Sequence, residues 1–401
     1  MLTLRGTSGP RRGPALGELG LIHDGSLLIR DGEVVEVGPT RRVENLAEAR
    51  KAFEINAAGR VVMPGFVDSH THLAFPPPGA AGLDVEAAAR EIRATNGQRL
   101  EWRARGYLQA MVRHGTTTVE VKTGCGPDEK AEIKILRVLW ALKRVPLDVI
   151  PTYLFRLPAA GRGDSAEADW AFRELMPKIR RRGLAAFADV AWETGAERLA
   201  LMVRCLEVAR ELGFPRKVHA DQPNAAAAIQ AAVEGMASTI DHLEWATAAE
   251  AGMLAGSSAI ATLLPYASFQ SGGPGAPARA LIDAGVPVAI ASNFNPLLTP
   301  AFNMQTVVAL ACLRMRMTPA EAISAATING AHAVGRASRT GSLEPGKLAD
   351  LLILDASDYQ ELARRFGVNL VRLTMKCGQA IYKEGAVSES RADSTRPPDR
   401  G

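Results

Sequence analysis

The sequence predicts an α/β protein: a (β/α)8 TIM-type barrel with a small β-sandwich domain built from both chain ends. Three observations carry this. First, eight short β-branched or apolar runs recur, at Val61–Leu73, Gly115–Gly124, Val149–Phe155, Phe187–Glu193, Lys217–Asp221, Ser238–Glu244, Ala259–Pro265 and Pro287–Phe294. Second, most of the gaps between them read as helices. Ala131–Lys143 (AEIKILRVLWALK) places apolar residues at i, i+3 and i+4, and Ala196–Leu212 and Ala225–Val233 are rich in Ala and Leu. Strand–helix alternation repeated eight times outlines a parallel barrel. A doubly wound open sheet is the competitor, but no GxGxxG follows the first strand.

The third observation lies in the flanks. Ser26–Val37 (SLLIRDGEVVEV) holds two short apolar strands joined by Asp31-Gly32, a strong hairpin-turn signal. Lys347–Ala356 and Met375–Gly385 add short strands near the other end. Residues 1–62 and 343–386 are therefore assigned to one composite β-domain, with the barrel, 63–342, inserted between them. Residues 387–401 are rich in Ser, Arg, Asp and Pro and are expected to lack structure, and Thr7–Pro14 (TSGPRRGP) is expected to be mobile.

Composition narrows the class. Of 401 residues, 47% are hydrophobic and 22% charged, as in an ordinary globular protein. No uncharged apolar stretch reaches the length of about 18 residues that a membrane helix needs, and Met1–Arg5 leads into no apolar signal segment. The four cysteines (Cys125, Cys205, Cys312, Cys377) form no CxxC pair, so neither a disulfide framework nor a cysteine zinc site is expected, and the setting reads as cytoplasmic. A net charge of +4, spread along the chain, is too small for a nucleic-acid partner. The basic run Lys178–Arg182 reads as the solvated end of a helix.

In a parallel barrel, functional side chains sit at the C-terminal ends of the strands. The first run ends in Asp68-Ser69-His70-Thr71-His72, and histidines at i and i+2 of a strand point to the same side. The fifth ends in His219-Ala220-Asp221-Gln222 and the sixth in Asp241-His242-Leu243-Glu244. Four of the seven histidines thus fall at one end of the barrel, where imidazoles suit a divalent metal. His23, His114 and His332 receive no catalytic role. Glu120 and Lys122 alternate with valines and read as a buried ion pair or polar filling of the barrel, a carbamylated metal-bridging lysine being the lesser alternative.

The string Pro64-Gly65-Phe66-Val67-Asp68-Ser69-His70-Thr71-His72 resembles the first barrel strand of the amidohydrolase superfamily, and Gly341–Asp350 (GSLEPGKLAD) resembles its return into the small β-domain. More narrowly, Gly115–Gly124 (GTTTVEVKTG), His219–Gln222, Asp241–Glu244 and Asn293-Phe294-Asn295-Pro296 resemble the imidazolonepropionase family. The likeness runs from about Ser26 to Gly385. It implies a metal-dependent hydrolase of a cyclic amide or amidine C–N bond, which in that family opens the imidazolone ring in histidine breakdown to give N-formimino-glutamate. It further implies one Zn²⁺ or Fe²⁺ on His70, His72 and His219, with His242 orienting a water or polarising the carbonyl oxygen. A small-molecule substrate or ligand and a homodimer are what the resemblance implies, while the charge balance and hydropathy speak against a nucleic-acid or membrane partner.

The chain departs from that family at several positions. Asn293 stands where the family has a metal-binding Asp on strand eight, and Gln222 where its strand-five motif has Glu. Cys125 replaces a tyrosine after strand two. Tyr153–Pro158 carries Arg156 but no histidine, and the loop Phe75–Ala81 carries no arginine. Asn and Gln keep the shape and acceptor oxygen of the acids but cannot ionise. Arg156 is the candidate for gripping an anionic substrate group, since guanidinium pairs bidentately with carboxylate. Glu193 matches a family glutamate and, with Cys125, is a candidate substrate contact. Asn293, Gln222 and His242 are the candidate catalytic positions. Two functions stay open at this point: a hydrolase, of imidazolone propionate or of another cyclic amide, and a non-catalytic relative that binds a small ligand in the same pocket.

Overall fold

The computed structural model describes residues 1–6, 8–78, 84–126, 128–142, 146–157, 164–384 and 388–391. Eight parallel strands lie in chain order in one sheet: β1 (Phe66–Asp68), β2 (Thr116–Lys122), β3 (Asp148–Arg156), β4 (Phe187–Ala191), β5 (Arg216–Ala220), β6 (Thr239–His242), β7 (Ile260–Leu263) and β8 (Val288–Ile290). Helices alternate with them. Gly97–Arg113, for example, buries Leu100, Ala104, Leu108 and Met111, the i, i+4 stripe that faces the sheet. The strands are buried on both sides, and their polar residues, such as Glu120 and Lys122 on β2, point into the barrel interior rather than to solvent.

The sheet closes just beyond the ends of β1 and β8. Thr71 bridges Phe294 in parallel, His72 N–H donates to Phe294 O at 2.6 Å, and Asn293 N–H donates to His70 O at 3.1 Å. Inside this seam, Asp68 accepts from Ser292 N–H (2.9 Å) and from its hydroxyl (2.5 Å). The opposite end is stoppered by helix Ile328–Ala333. A Cβ on Gly330 would lie 2.8 Å from Val67 O, so only glycine lets this helix press on β1.

Both chain ends build the smaller sheets. Val62–Pro64, from the N-terminal flank, pairs antiparallel with Leu351–Leu354, which pairs with Val371–Lys376 and that with Gln379–Lys383. Gly25–Arg30 and Glu33–Pro39 form the hairpin, and Asp31 (φ +53°) and Gly32 (φ +85°) supply the two positive φ values that such a tight turn needs. Leu27, Ile29 and Ile55 pack on the core of Val62, Leu351, Ile353 and Leu373, joining these layers.

Two segments differ from the sequence expectation. Ser388–Arg391, in the tail expected to lack structure, pairs antiparallel with Phe53–Asn56; residues 392–401 lie outside the described residues. Residues 8–14, expected to be mobile, lie against the base of the barrel, while Thr7 lies outside the described residues. Arg11 is buried, and its backbone exchanges hydrogen bonds with the Asn329 side chain (2.8 and 2.9 Å). The Arg12 guanidinium donates to Ala255 O (3.3 Å), Ser257 O (2.8 Å) and Gly285 O (3.3 Å), the carbonyls just past helices Ala248–Ala255 and Ala278–Asp283. A cation there meets the negative ends of two helix dipoles. Arg12→Ala is therefore expected to lower unfolding free energy by about 2 kcal/mol, measured as a shift in the urea midpoint. An unchanged midpoint would show that the contact is ornamental.

Candidate metal centre

The closing seam fixes the first two candidate ligands. Backbone bonds hold His70 and His72 against β8 on one side, and Lys122 N–H donates to Thr71 O (2.8 Å) on the other. The i, i+2 spacing then turns both imidazoles inward, with Nε2 of each 3.2 Å apart. His219, from β5, completes the group, its ring centroid 4.7 Å from that of His70 and 5.7 Å from that of His72. One ligand nitrogen from each of the three lies within 4.8 Å of the others, and all three residues are buried.

The other ring nitrogens are tied down. His70 Nδ1 lies 2.7 Å from Asp241 Oδ2, and His219 Nδ1 lies 3.1 Å from Asp189 Oδ1. A carboxylate on Nδ1 fixes the tautomer with its proton there and leaves the Nε2 lone pair free for a metal. Strand register places these partners side by side, with His219 beside Asp241 and Asp189 beside Lys217. Lys122 Nζ joins the two pairs, 2.5 Å from Asp189 Oδ2 and 3.0 Å from Asp241 Oδ2, and also reaches Glu120 at 3.3 Å. Glu120 is further held by Lys217 Nζ (2.9 Å) and the Thr152 hydroxyl (2.5 Å). The alternation of Glu120 and Lys122 thus builds a buried ionic platform beneath the histidines.

Electrostatics follow from this platform. Burial, then the Lys122 charge, holds His70 well below the usual imidazole range, and burial followed by the neighbouring His70 does the same to His72. Burial opposes ionisation of Asp241 and Asp189. Lys122 with His70 for the first, and His219 with Lys122 for the second, outweigh it and keep both carboxyls depressed. Neutral His70 and His72 beside the anionic carboxylates of Asp189 and Asp241 suit a cation. Among the described residues His219 Nε2 and Asp241 Oδ1 are buried without a hydrogen-bond partner, and the Nε2 atoms of His70 and His72 stand 3.2 Å apart. Both observations fit a divalent ion among His70, His72 and His219.

His242 follows in the same cluster, its ring centroid 5.4 Å from those of His70 and His219. His242 (φ +79°) and Leu243 (φ +65°) both stand in the left-handed region, a strain that turns the chain sharply at the end of β6. Glu244 Oε1 lies 3.1 Å from His242 Nδ1. Burial works against protonation of His242, but the Glu244 charge and hydrogen bond win and raise it to about 9.

The remaining candidates are placed as follows. Asn293 adopts φ +54°, which Asn tolerates better than most residues, and its half-buried side chain has no hydrogen bond among the described residues. Gln222 stands half-buried two residues past β5. Arg156 ends β3 with its guanidinium over the Phe75 ring at 5.9 Å, and Phe75 in turn lies 5.9 Å edge-on from His72. Cys125 is sealed in an apolar wall with Leu73, Phe75, Phe294 and Leu297, and burial pushes its thiol up out of the reactive range. Glu193 pairs with Arg198 at 2.9 Å on the following helix. Sequence reasoning missed Asp189 and gave Asp241 no place among the candidate site residues. Asp189 shares a strand face with Phe187 and Ala191, so the period-2 rule alone could have aimed it into the barrel.

The amidohydrolase family model matches residues 61–381. The imidazolonepropionase of Alkaliphilus metalliredigens is 36% identical over 409 residues, covering 96% of this chain and 97% of its own. That of Geobacillus kaustophilus is 37% identical with the same two coverages. The chain belongs to the imidazolonepropionase family of amidohydrolases.

Its place in that family makes it a metal-dependent hydrolase of a cyclic C–N bond, and a non-catalytic role is not favoured. Solved structures agree on the fold. Guanine deaminase from E. coli has a TM-score of 0.73 at 16% identity, covering 96% of this chain and 97% of that one. The 5-methylcytosine deaminase of Klebsiella pneumoniae has 0.71 at 19%, covering 90% and 95%. Among the described residues no helix is long and apolar enough to cross a membrane.

Proposed function

We propose that this imidazolonepropionase-family chain hydrolyses imidazolone propionate to N-formimino-glutamate. Water adds to the ring carbonyl carbon, the bond from that carbon to the ring nitrogen breaks, and the products are a new carboxylate and the formimino group left on nitrogen. The observation that carries this reading is the buried trio His70, His72 and His219, two of whose members are oriented by Asp241 and Asp189. These three would hold one Zn²⁺ or Fe²⁺, whose Lewis acidity brings water into a titration range of about pH 7.

The other roles belong to the chain. His242, oriented through Nδ1 by Glu244, keeps Nε2 for a hydrogen bond to the substrate carbonyl oxygen. Arg156, one aromatic ring away from His72, pairs with the propionate carboxylate. Asn293 and Gln222 line the polar floor as hydrogen-bonding groups that can neither take up nor release a proton, so turnover is slower than with acids there. The four cysteines are unpaired, which supports a reducing, cytoplasmic setting.

Two measurements test this. Protein purified without chelator should contain about one equivalent of Zn or Fe, as a three-histidine site with an open position binds, and should turn over imidazolone propionate. The double variant Asn293→Asp with Gln222→Glu should raise kcat by about 10²-fold, the low end of what a general base supplies. Absence of turnover in the natural chain, with hydrolysis only in the double variant, would overturn the assignment and mark a silenced enzyme.

A further inference from the structure

Outside the histidine cluster, one buried titratable group stands without an evident purpose. Glu132, in the first turn of helix Glu129–Ala141, is 5% exposed. Its Oε1 accepts from Gly126 N–H (2.7 Å) and Gly124 N–H (3.3 Å), and the Thr123 hydroxyl also bonds to the carboxyl. Burial pushes this carboxyl up to about 7 despite the Thr123 hydroxyl, the two glycine N–H groups and the nearby Arg156 charge, all of which pull it down.

The loop that Glu132 holds is the loop against which Arg156 lies. A Cβ on Gly126 would stand 2.5 Å from Glu132 Oε1, so the backbone is drawn right onto the carboxylate. A Cβ on Gly124 would stand 3.2 Å from Arg156 Nε, so the guanidinium rests directly on the neighbouring backbone, with the Phe75 ring as its second support. The chain of contact runs from Glu132 through Gly124 to Arg156, and separately from Arg156 through Phe75 to His72.

We propose that Glu132 is a positioning residue for substrate binding: through Gly124 and Gly126 it fixes the backbone that supports Arg156, and so sets where the guanidinium meets the substrate carboxylate. This rests on the assignment of Arg156 to that carboxylate. Glu132 acts on binding alone, because the histidine cluster is held by other contacts.

The test compares imidazolone propionate with its neutral propionamide analogue, in the metal-loaded full-length enzyme. Glu132→Ala, and Glu132→Asp as the milder withdrawal of the acceptor, should raise KM for the acidic substrate about 10-fold, the equivalent of about 1.4 kcal/mol, with kcat nearly constant. KM for the propionamide should not follow. Glu132→Gln, which keeps the acceptor oxygen, should recover most of the loss. Arg156→Ala should raise KM for the acidic substrate alone. If Arg156→Ala leaves that KM unchanged, the Arg156 assignment fails and the inference with it. If Arg156→Ala raises it while neither Glu132→Ala nor Glu132→Asp does, only the role of Glu132 fails. Equal losses of kcat on both substrates in the Glu132 variants would likewise reduce Glu132 to a fold-supporting residue.

Discussion

His70→Ala should abolish metal retention and turnover together, with kcat/KM falling at least about 10³-fold, because residues that act as one unit cost nearly as much singly as together. His70 is the residue at which most of the site's contacts meet. It faces His72 at 3.2 Å through Nε2 and Asp241 at 2.7 Å through Nδ1, and its carbonyl receives the Asn293 N–H that closes the barrel. The alanine variant keeps that backbone bond, so the fold should survive while the three-nitrogen set is reduced to two. Metal analysis and steady-state kinetics on the same preparation check this. A variant that still carries about one equivalent of metal at its site and turns over at more than a tenth of the natural rate would place the ion elsewhere.

Lys122→Met should do the reverse, damaging the fold before the chemistry. Lys122 is fully buried and is shared by Asp189, Asp241 and Glu120. Removing its charge leaves three buried carboxylates with Lys217, the Thr152 hydroxyl and the histidine N–H groups as partners among the described residues. Breaking one partner out of a buried ion network costs about 3–5 kcal/mol, a large share of the stability of an ordinary protein. The expected result is a protein recovered mainly in the insoluble fraction, with a strongly lowered urea midpoint in whatever remains soluble. The three neighbouring carboxylates raise the ammonium well above the usual lysine range, so it stays charged at any working pH and no mild condition mimics the variant. A soluble Lys122→Met protein with an unchanged midpoint would show that the platform is not ionic.

Much of this was legible in the sequence because strand ends are marked by a change from apolar to polar residues. Asp68–His72, His219–Gln222 and Asp241–Glu244 all announce themselves in that way, and three histidines from two of these ends meet as expected. The first run, Val61–Leu73, was less transparent. Its apolar residues belong to two strands in different sheets, Val62–Pro64 and β1, separated by Gly65 alone, and hydrophobic continuity carries no record of a change of sheet. Asp189 was hidden for a different reason: its meaning depends on a lysine 67 positions earlier in the chain. Arg11 and Arg12 sit among Gly and Pro and look solvated, yet their partners are an asparagine side chain and helix-end carbonyls more than 240 residues away. Composition reports what a residue would choose in isolation, whereas these residues are fixed by distant surfaces that only the closed barrel creates.

The seam between β1 and β8 has a consequence for biogenesis. The backbone that joins the first strand to the last also carries His70 and His72, and the bond from Asn293 to His70 spans 223 positions of the chain. A ribosome must therefore release all eight strands before the ligand set can assemble, and contacts of such long sequence separation form late and slowly. Metal uptake thus becomes a completion signal, unavailable to nascent or truncated chains. A fragment ending before β8 should take up no stoichiometric metal even where its other strands have folded.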